Sequence, residues 1–164
     1  MELFEAIKKR GTVRSYSDKP IPKEDLTQIA EAGRLAPSAT NVEPWEFVAI
    51  TDKNTLGALA SLGQNARFLR DAAAAIVVLS KETKYYLEDG AAATQNMLLA
   101  ATALGIGSCW VAGDKKPYAE DVVSLLGAPE EYKLVSIIAL GYAQDEVTPH
   151  SKRGVDEVLH FEKF

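Results

Sequence analysis

Hydrophobic positions in this chain repeat with helical spacing in five stretches and follow strand patterns in four. Leu3, Phe4 and Ile7 fall on one face of a short helix that Gly11 ends. Pro20-Ile21-Pro22 makes a rigid turn, and Pro22 or Lys23 opens a second helix with Glu24 and Asp25 in its positive first turn. Leu26, Ile29, Ala30 and Gly33 form its inner face. Pro37 stops it, because a residue before proline avoids the α region. Pro44 then forces an extended entry into a strand over 45–51, where Trp45, Phe47 and Ala49 alternate with Glu46, Val48 and Ile50. Asp52 caps a third helix with Leu56, Leu59 and Leu62 inward, closed by Gly63-Gln64-Asn65.

The run over 72–80 is rich in alanine and valine, as expected of a central strand buried on both faces. The longest helical pattern covers 82–104. Its small residues, Gly90-Ala91-Ala92-Ala93, and its apolar Met97, Leu98, Ala101 and Leu104 wrap most of its circumference. Such a helix belongs in an interior. A chain of 164 residues has little interior to spare, so the pattern predicts a subunit interface; the alternative is the central helix of a monomeric core. Gly105 ends it, and 108–111 reads as a short strand. Pro117 starts a small helix with Val122, Val123 and Leu126 inward, and the β-branched run over 133–140 is a further strand. Val155, Val158, Leu159 and Phe161 predict a tail that docks.

The length suits one domain spanning 1–164. No apolar run approaches the roughly 20 residues of a membrane span. The acidic start, with no basic lead, is not that of a secretory signal. A net charge of -5 argues against a nucleic-acid surface, so any anion must be held by a local basic cluster. A single cysteine, Cys109, excludes an internal disulfide and fits a reducing cytoplasm. It sits in an apolar strand pattern, where a small hydrophobic role is expected. No Cys/His cluster has metal-ligand spacing, and no metal is expected.

Two segments carry chemistry. Arg10, Thr12 and Arg14 alternate along an extended stretch, which points all three to one side. Two guanidinium forks and a hydroxyl can converge there on one phosphate; the alternative is a solvated turn whose arginines pair with nearby acids. Between Pro37 and Pro44, Ser38, Thr40 and Asn41 can bond either backbone or ligand, so this is a polar connection or a binding loop.

Ala36-Pro37-Ser38, followed by Asn41 and by Pro44-Trp45, resembles the hallmark of the nitroreductase family of FMN-dependent oxidoreductases. Arg10-Gly11-Thr12-Val13-Arg14, the stretch from Gly105 to Gly113, and Lys152-Arg153 are similar to the family's other landmarks, in the family's order. The resemblance implies an α+β fold, a mostly antiparallel sheet flanked by helices in an intertwined homodimer. It implies FMN as cofactor, NADH or NADPH as co-substrate, and a nitro compound, quinone or flavin as acceptor, reduced by a ping-pong mechanism. Arg10, Gly11, Thr12 and Arg14 would hold the phosphate and ribityl end, with Lys152 or Arg153 as a further cation. Pro37, Ser38, Ala39 and Asn41 would come from the partner chain. Gln64, or else Asn65, would reach the ring edge. The backbone of Val111, Ala112 and Gly113 would face the isoalloxazine, and a side chain at 113 would crowd it. No catalytic side chain is expected, because the flavin carries the chemistry.

Two departures bear on the substrate. Ala112 stands where many larger relatives have glutamate, and Ser80 runs almost directly into Lys84-Tyr85-Tyr86 with no inserted lid. A nitroaromatic preference therefore does not carry over. Tyr85 or Tyr86 either covers the flavin or lies on the helix surface. The competing functions are a non-catalytic redox carrier, a dimer that has lost flavin, and another flavin chemistry on this scaffold, either dehalogenation or flavin fragmentation.

Overall fold

A computed structural model describes residues 1–164. Its sheet contains β1 (Trp45–Ile50), β2 (Ala74–Lys81), β3 (Gly107–Ala112) and β4 (Tyr132–Gly141), in the order β1-β2-β4-β3 with every neighbouring pair antiparallel. The helices are α1 (Leu3–Lys9), α2 (Lys23–Arg34), α3 (Lys53–Leu62), α4 (Tyr86–Ala103) and α5 (Ala119–Leu125). No helix is long and apolar enough to cross a membrane.

Side chains alternate across a strand, so the sheet divides the core in two. Val77, Cys109, Val111 and Ile137 pack with Leu56 and Leu59 of α3 and with Val122 of α5. Ile76, Val78, Ile138 and Leu140 pack on the other face with Leu26 and Ile29 of α2 and Met97, Leu98 and Ala101 of α4. β2 and β4 are covered on both faces, which explains their largely apolar runs, broken within 134–140 only by the buried Ser136.

The β2–β4 ladder carries an irregularity. Val78 pairs with Ser136 and Leu79 with Leu134, so Val135 is an extra residue on β4. Its side chain lies against Gly90 of α4, where an added Cβ would come within 2.8 Å of both Val135 methyls. Gly33 of α2 similarly makes room for Met97. Gly90 thus serves packing within the chain, where α4 lies between the sheet and α2, while Ala91 and Ala92 stay half-buried.

Other elements depart from the sequence reading. α4 begins at Tyr86 rather than near Glu82, because β2 continues to Lys81, whose N–H bonds the Pro44 carbonyl, and a turn follows. Gly63 closes α3 as read, but the chain passes straight into Gln64–Asp71, a 3-10 stretch that puts Ala66 and Leu69 into the core. α5 starts at Ala119, two residues after Pro117. In α1 only Ala6 is buried, and Leu3, Phe4 and Ile7 face outward. The tail docks on nothing within the chain: Val155, Val158, Leu159 and Phe161 are all exposed.

The buried Thr94 hydroxyl of α4 donates to the Gly90 carbonyl at 2.7 Å. Its single hydrogen is thereby used, so the buried Ser136 hydroxyl, 2.8 Å away, donates to it. Thr94→Val should leave Ser136 unpartnered and cost about 1–3 kcal/mol. Urea unfolding checks this: the midpoint should fall with an unchanged slope, and adding Ser136→Ala should recover part of the loss.

Candidate functional site

After α1 the chain runs extended beside β3. Thr12 bridges Ser108 in parallel, and the Val13 N–H bonds the Ser108 carbonyl at 2.9 Å. Val13 and Tyr16 are buried, whereas Thr12 is half-buried and Arg14 exposed, so the alternation read from the sequence holds from Gly11 to Arg14. Gly107 permits this close approach, since a Cβ there would lie 2.8 Å from Val13 and 3.0 Å from the Gly141 carbonyl. Gly11 meets the start of the tail, with its Cβ position 2.5 Å from Val147.

The four ion pairs of the molecule are Lys9–Glu5, Arg34–Glu31, Lys81–Glu131 and Lys133–Glu82. Arg10 and Arg14 belong to none of them, which removes the reading of a turn neutralised by acids. The Arg14 guanidinium lies 5.8 Å from the Phe68 ring centroid and beside the Cys109 thiol. Lys152 and Arg153 are likewise unpaired, on the exposed tail.

A cavity of about 220 Å³ collects much of what the sequence singled out: Arg14, Gln64, Asn65, Val111 and Ala112. Cys109 and Trp110 of β3 and Gly63 also line it, and Phe68, Lys116 and Tyr118 add to its wall. These three were not identified from the sequence. Phe68 belongs to the short, mostly polar 3-10 stretch after α3, where the sequence predicts no element. Lys116 had one legible signal, as a cation in the polar run directly after β3. The Tyr118 hydroxyl donates to the Ala112 carbonyl and so braces the end of β3.

Gly113 is also needed for a reason within the chain. Its Cβ position is 2.6 Å from the Val135 carbonyl oxygen and 2.7 Å from the carbonyl carbon. The chain's own β4, at its extra residue, excludes a side chain here. Tyr86 is also not free to swing: its hydroxyl donates to Asp114 Oδ1 at 2.6 Å, and that bond, helped by burial, pushes its pKa up to about 12. Tyr85 remains exposed.

The segment 37–43 forms a second, separate cluster. The Glu43 N–H donates to Ser38 Oγ at 2.9 Å, Asn41 Nδ2 donates to Glu43 Oε1 at 3.1 Å, and the Ala39 N–H donates to Asp89 Oδ1 at 2.9 Å. Thr40, Asn41 and Glu43 have φ of 54°, 56° and 46°, in the left-handed region that non-glycine residues rarely adopt. The segment enters β1, the sheet edge opposite β3. At ~4.8 Å per strand, three spacings separate those edges by about 14 Å. One chain therefore does not bring Pro37, Ser38, Ala39 and Asn41 to the cavity beside Arg14.

The model of the nitroreductase family matches residues 7–67 and 60–142. A protein of Archaeoglobus fulgidus, provisionally named NADH dehydrogenase/NAD(P)H nitroreductase, is 39% identical over 152 residues, 88% of this chain and 87% of that protein. The crystal structure of a similarly named protein from Parabacteroides distasonis superposes with a TM-score of 0.92 at 34% identity, covering 97% of each chain. A provisionally named nitroreductase from Desulfovibrio desulfuricans, solved in complex with FMN, gives 0.85 at 28% identity, over 100% of this chain and 98% of that one.

Gly113→Ala should cost about 1–3 kcal/mol by overpacking against β4, seen as a lower unfolding midpoint even in protein stripped of small molecules. Burial pushes the Cys109 thiol above its ordinary range, against a smaller lowering by Arg14. A raised pKa keeps the thiol neutral at pH 8, where the thiolate is the reactive form. Iodoacetamide at that pH should leave the folded protein unmodified and label it in urea, read by mass spectrometry.

Proposed function

The chain belongs to the nitroreductase family, and we propose that it is a single-domain, FMN-dependent oxidoreductase spanning residues 1–164, passing electrons from NADH or NADPH to a small-molecule acceptor in a reducing cytoplasm. The observation that carries this reading is one cavity bounded by an unpaired arginine, two polar amides and the end of β3. Those residues fit a flavin mononucleotide: the Arg14 guanidinium for the phosphate end, an aromatic and backbone wall for the ring. Bound FMN supplies the two-electron chemistry.

The chain's own residues bind and orient. Arg10, Thr12 and Arg14 hold the phosphate and ribityl end through charge-assisted bonds, with Lys152 or Arg153 as a further cation. Gln64 or Asn65 meets the polar ring edge. The Ala112 or Gly113 N–H would be the backbone donor to the flavin ring, a role that needs backbone position and no side chain. Val135 and Tyr118 hold that backbone still.

We further propose a homodimer in which Pro37, Ser38, Ala39 and Asn41 complete the partner's site. Two features support it: the two clusters lie at opposite edges of the sheet, and Leu3, Phe4, Ile7, Val155, Leu159 and Phe161 expose apolar surface that a second copy could bury. With no inserted lid between β2 and α4, nicotinamide and acceptor share one open ring face and take turns there.

Arg10→Ala/Arg14→Ala should weaken FMN binding by tenfold or more, since each bond to a charged group is worth roughly 1.5–3 kcal/mol; fluorescence titration that finds full affinity would sink the phosphate assignment. Wild-type protein with FMN should bleach on adding NADH or NADPH under argon and recolour with a quinone, and its double-reciprocal plots should be parallel. Absence of bleaching with either nucleotide would refute the enzymatic reading. In mixed dimers carrying Arg14→Ala on one chain and Asn41→Ala on the other, one site collects both defects and the other neither. Half the sites should then bind FMN as in wild type; two equally weakened sites would refute the shared arrangement.

A further inference from the structure

Asp89 stands near the start of α4 and is 5% exposed. One carboxylate oxygen accepts the Ala39 N–H at 2.9 Å. The other, Oδ2, is buried without a hydrogen-bond partner. Asp89 lies in the positive first turn of α4, which favours a carboxylate, but a buried acceptor left unpaired lowers stability.

The Ala39–Asp89 bond has a particular place in the structure. The other hydrogen bonds made by residues 37–43 stay inside the segment: Asn41 N–H to Ser38 O, Val42 N–H to Ala39 O, Thr40 Oγ1–H to Ala39 O, Glu43 N–H to Ser38 Oγ, and Asn41 Nδ2 to Glu43 Oε1. The bond to Asp89 is the one that ties this strained segment to the body of the protein, across 50 positions of sequence.

We propose that Asp89 is a positioning residue for the flavin site: its carboxylate fixes the Pro37–Asn41 segment in the conformation that completes the partner's cofactor pocket, and stability is given up at Oδ2 to keep it. The inference rests on the FMN-dimer reading above. Asp89 touches neither cofactor nor substrate; it acts through the Ala39 backbone.

FMN affinity by fluorescence titration and thermal unfolding of FMN-free protein test it together. Asp89→Ala should bind FMN about tenfold or more weakly, while its FMN-free melting temperature stays equal or rises. Asp89→Asn keeps an oxygen that can accept the Ala39 N–H, so it should restore affinity to within about threefold. An Asp89→Ala protein that binds FMN like wild type overturns the proposal, as does an Asp89→Asn protein weakened as much as Asp89→Ala. If Asp89→Ala fails to fold, Ala39→Pro removes the donor instead. Ser38 already has the extended backbone that a residue before proline requires, φ -134° and ψ 155°. Ala39→Pro should weaken FMN comparably, and unchanged binding overturns the proposal. Wild type that takes up no FMN overturns the parent reading; normal loss in Arg10→Ala/Arg14→Ala with normal binding in Asp89→Ala overturns this inference alone.

Discussion

The candidate site depends on the extra residue in the β2–β4 ladder. Val135 has no opposite number on β2, and β4 changes register there. A bulge twists its strand and re-aims the side chain it carries. Here the side chain presses on Gly90 of α4 and the carbonyl presses on Gly113. One irregularity thus sets how closely the central helix approaches the sheet and where the backbone after β3 must run. Two glycines accommodate it, one on each side. Ala112 pairs with Ser136, directly beside the bulge, so β3 stays in register with β4 to its last residue.

From that frame the binding groups follow in layers. β4 holds β3, β3 holds the extended segment with Thr12 and Arg14, and Tyr118 braces Ala112 from the loop beyond. The arginines emerge with no carboxylate partner in a chain whose net charge is -5. Unpaired guanidiniums beside an aromatic ring and a rigid backbone suit an anionic group joined to a planar one.

The opposite sheet edge shows the complementary economy. The segment before β1 holds three non-glycine residues in left-handed conformations and is tied down by one hydrogen bond to a buried carboxylate. Strain of this kind persists only where surrounding structure enforces it. Together with the outward apolar face of α1 and the exposed tail, it gives the chain a second surface whose groups do not meet those of the first within one copy.

The sequence by itself determined the local elements whose side chains repeat with the period of their backbone: α2, α3, the buried β2 and β4, and the alternating stretch through Arg14. Its motifs also identified the family, because Arg10-Gly11-Thr12, the Pro37–Trp45 hallmark and the run to Gly113 stand in one order along the chain. Tertiary structure decided the rest. The 3-10 stretch Gln64–Asp71 is short and mostly polar and buries only Ala66 and Leu69, and nothing in its sequence says that Phe68 would meet the end of β3 as a wall of the cavity. Gly113 looked like room for a ligand, yet the close neighbour is β4, since a bulge leaves no local mark in sequence. Whether Leu3, Phe4 and Ile7 face in or out depends on what packs against α1, and here Ala6 takes the inner side. The separation of Pro37–Asn41 from Arg14 follows from the strand order β1-β2-β4-β3. Strand order is set by pairing between distant segments, and pairing is a property of the assembled sheet that no single stretch of residues carries.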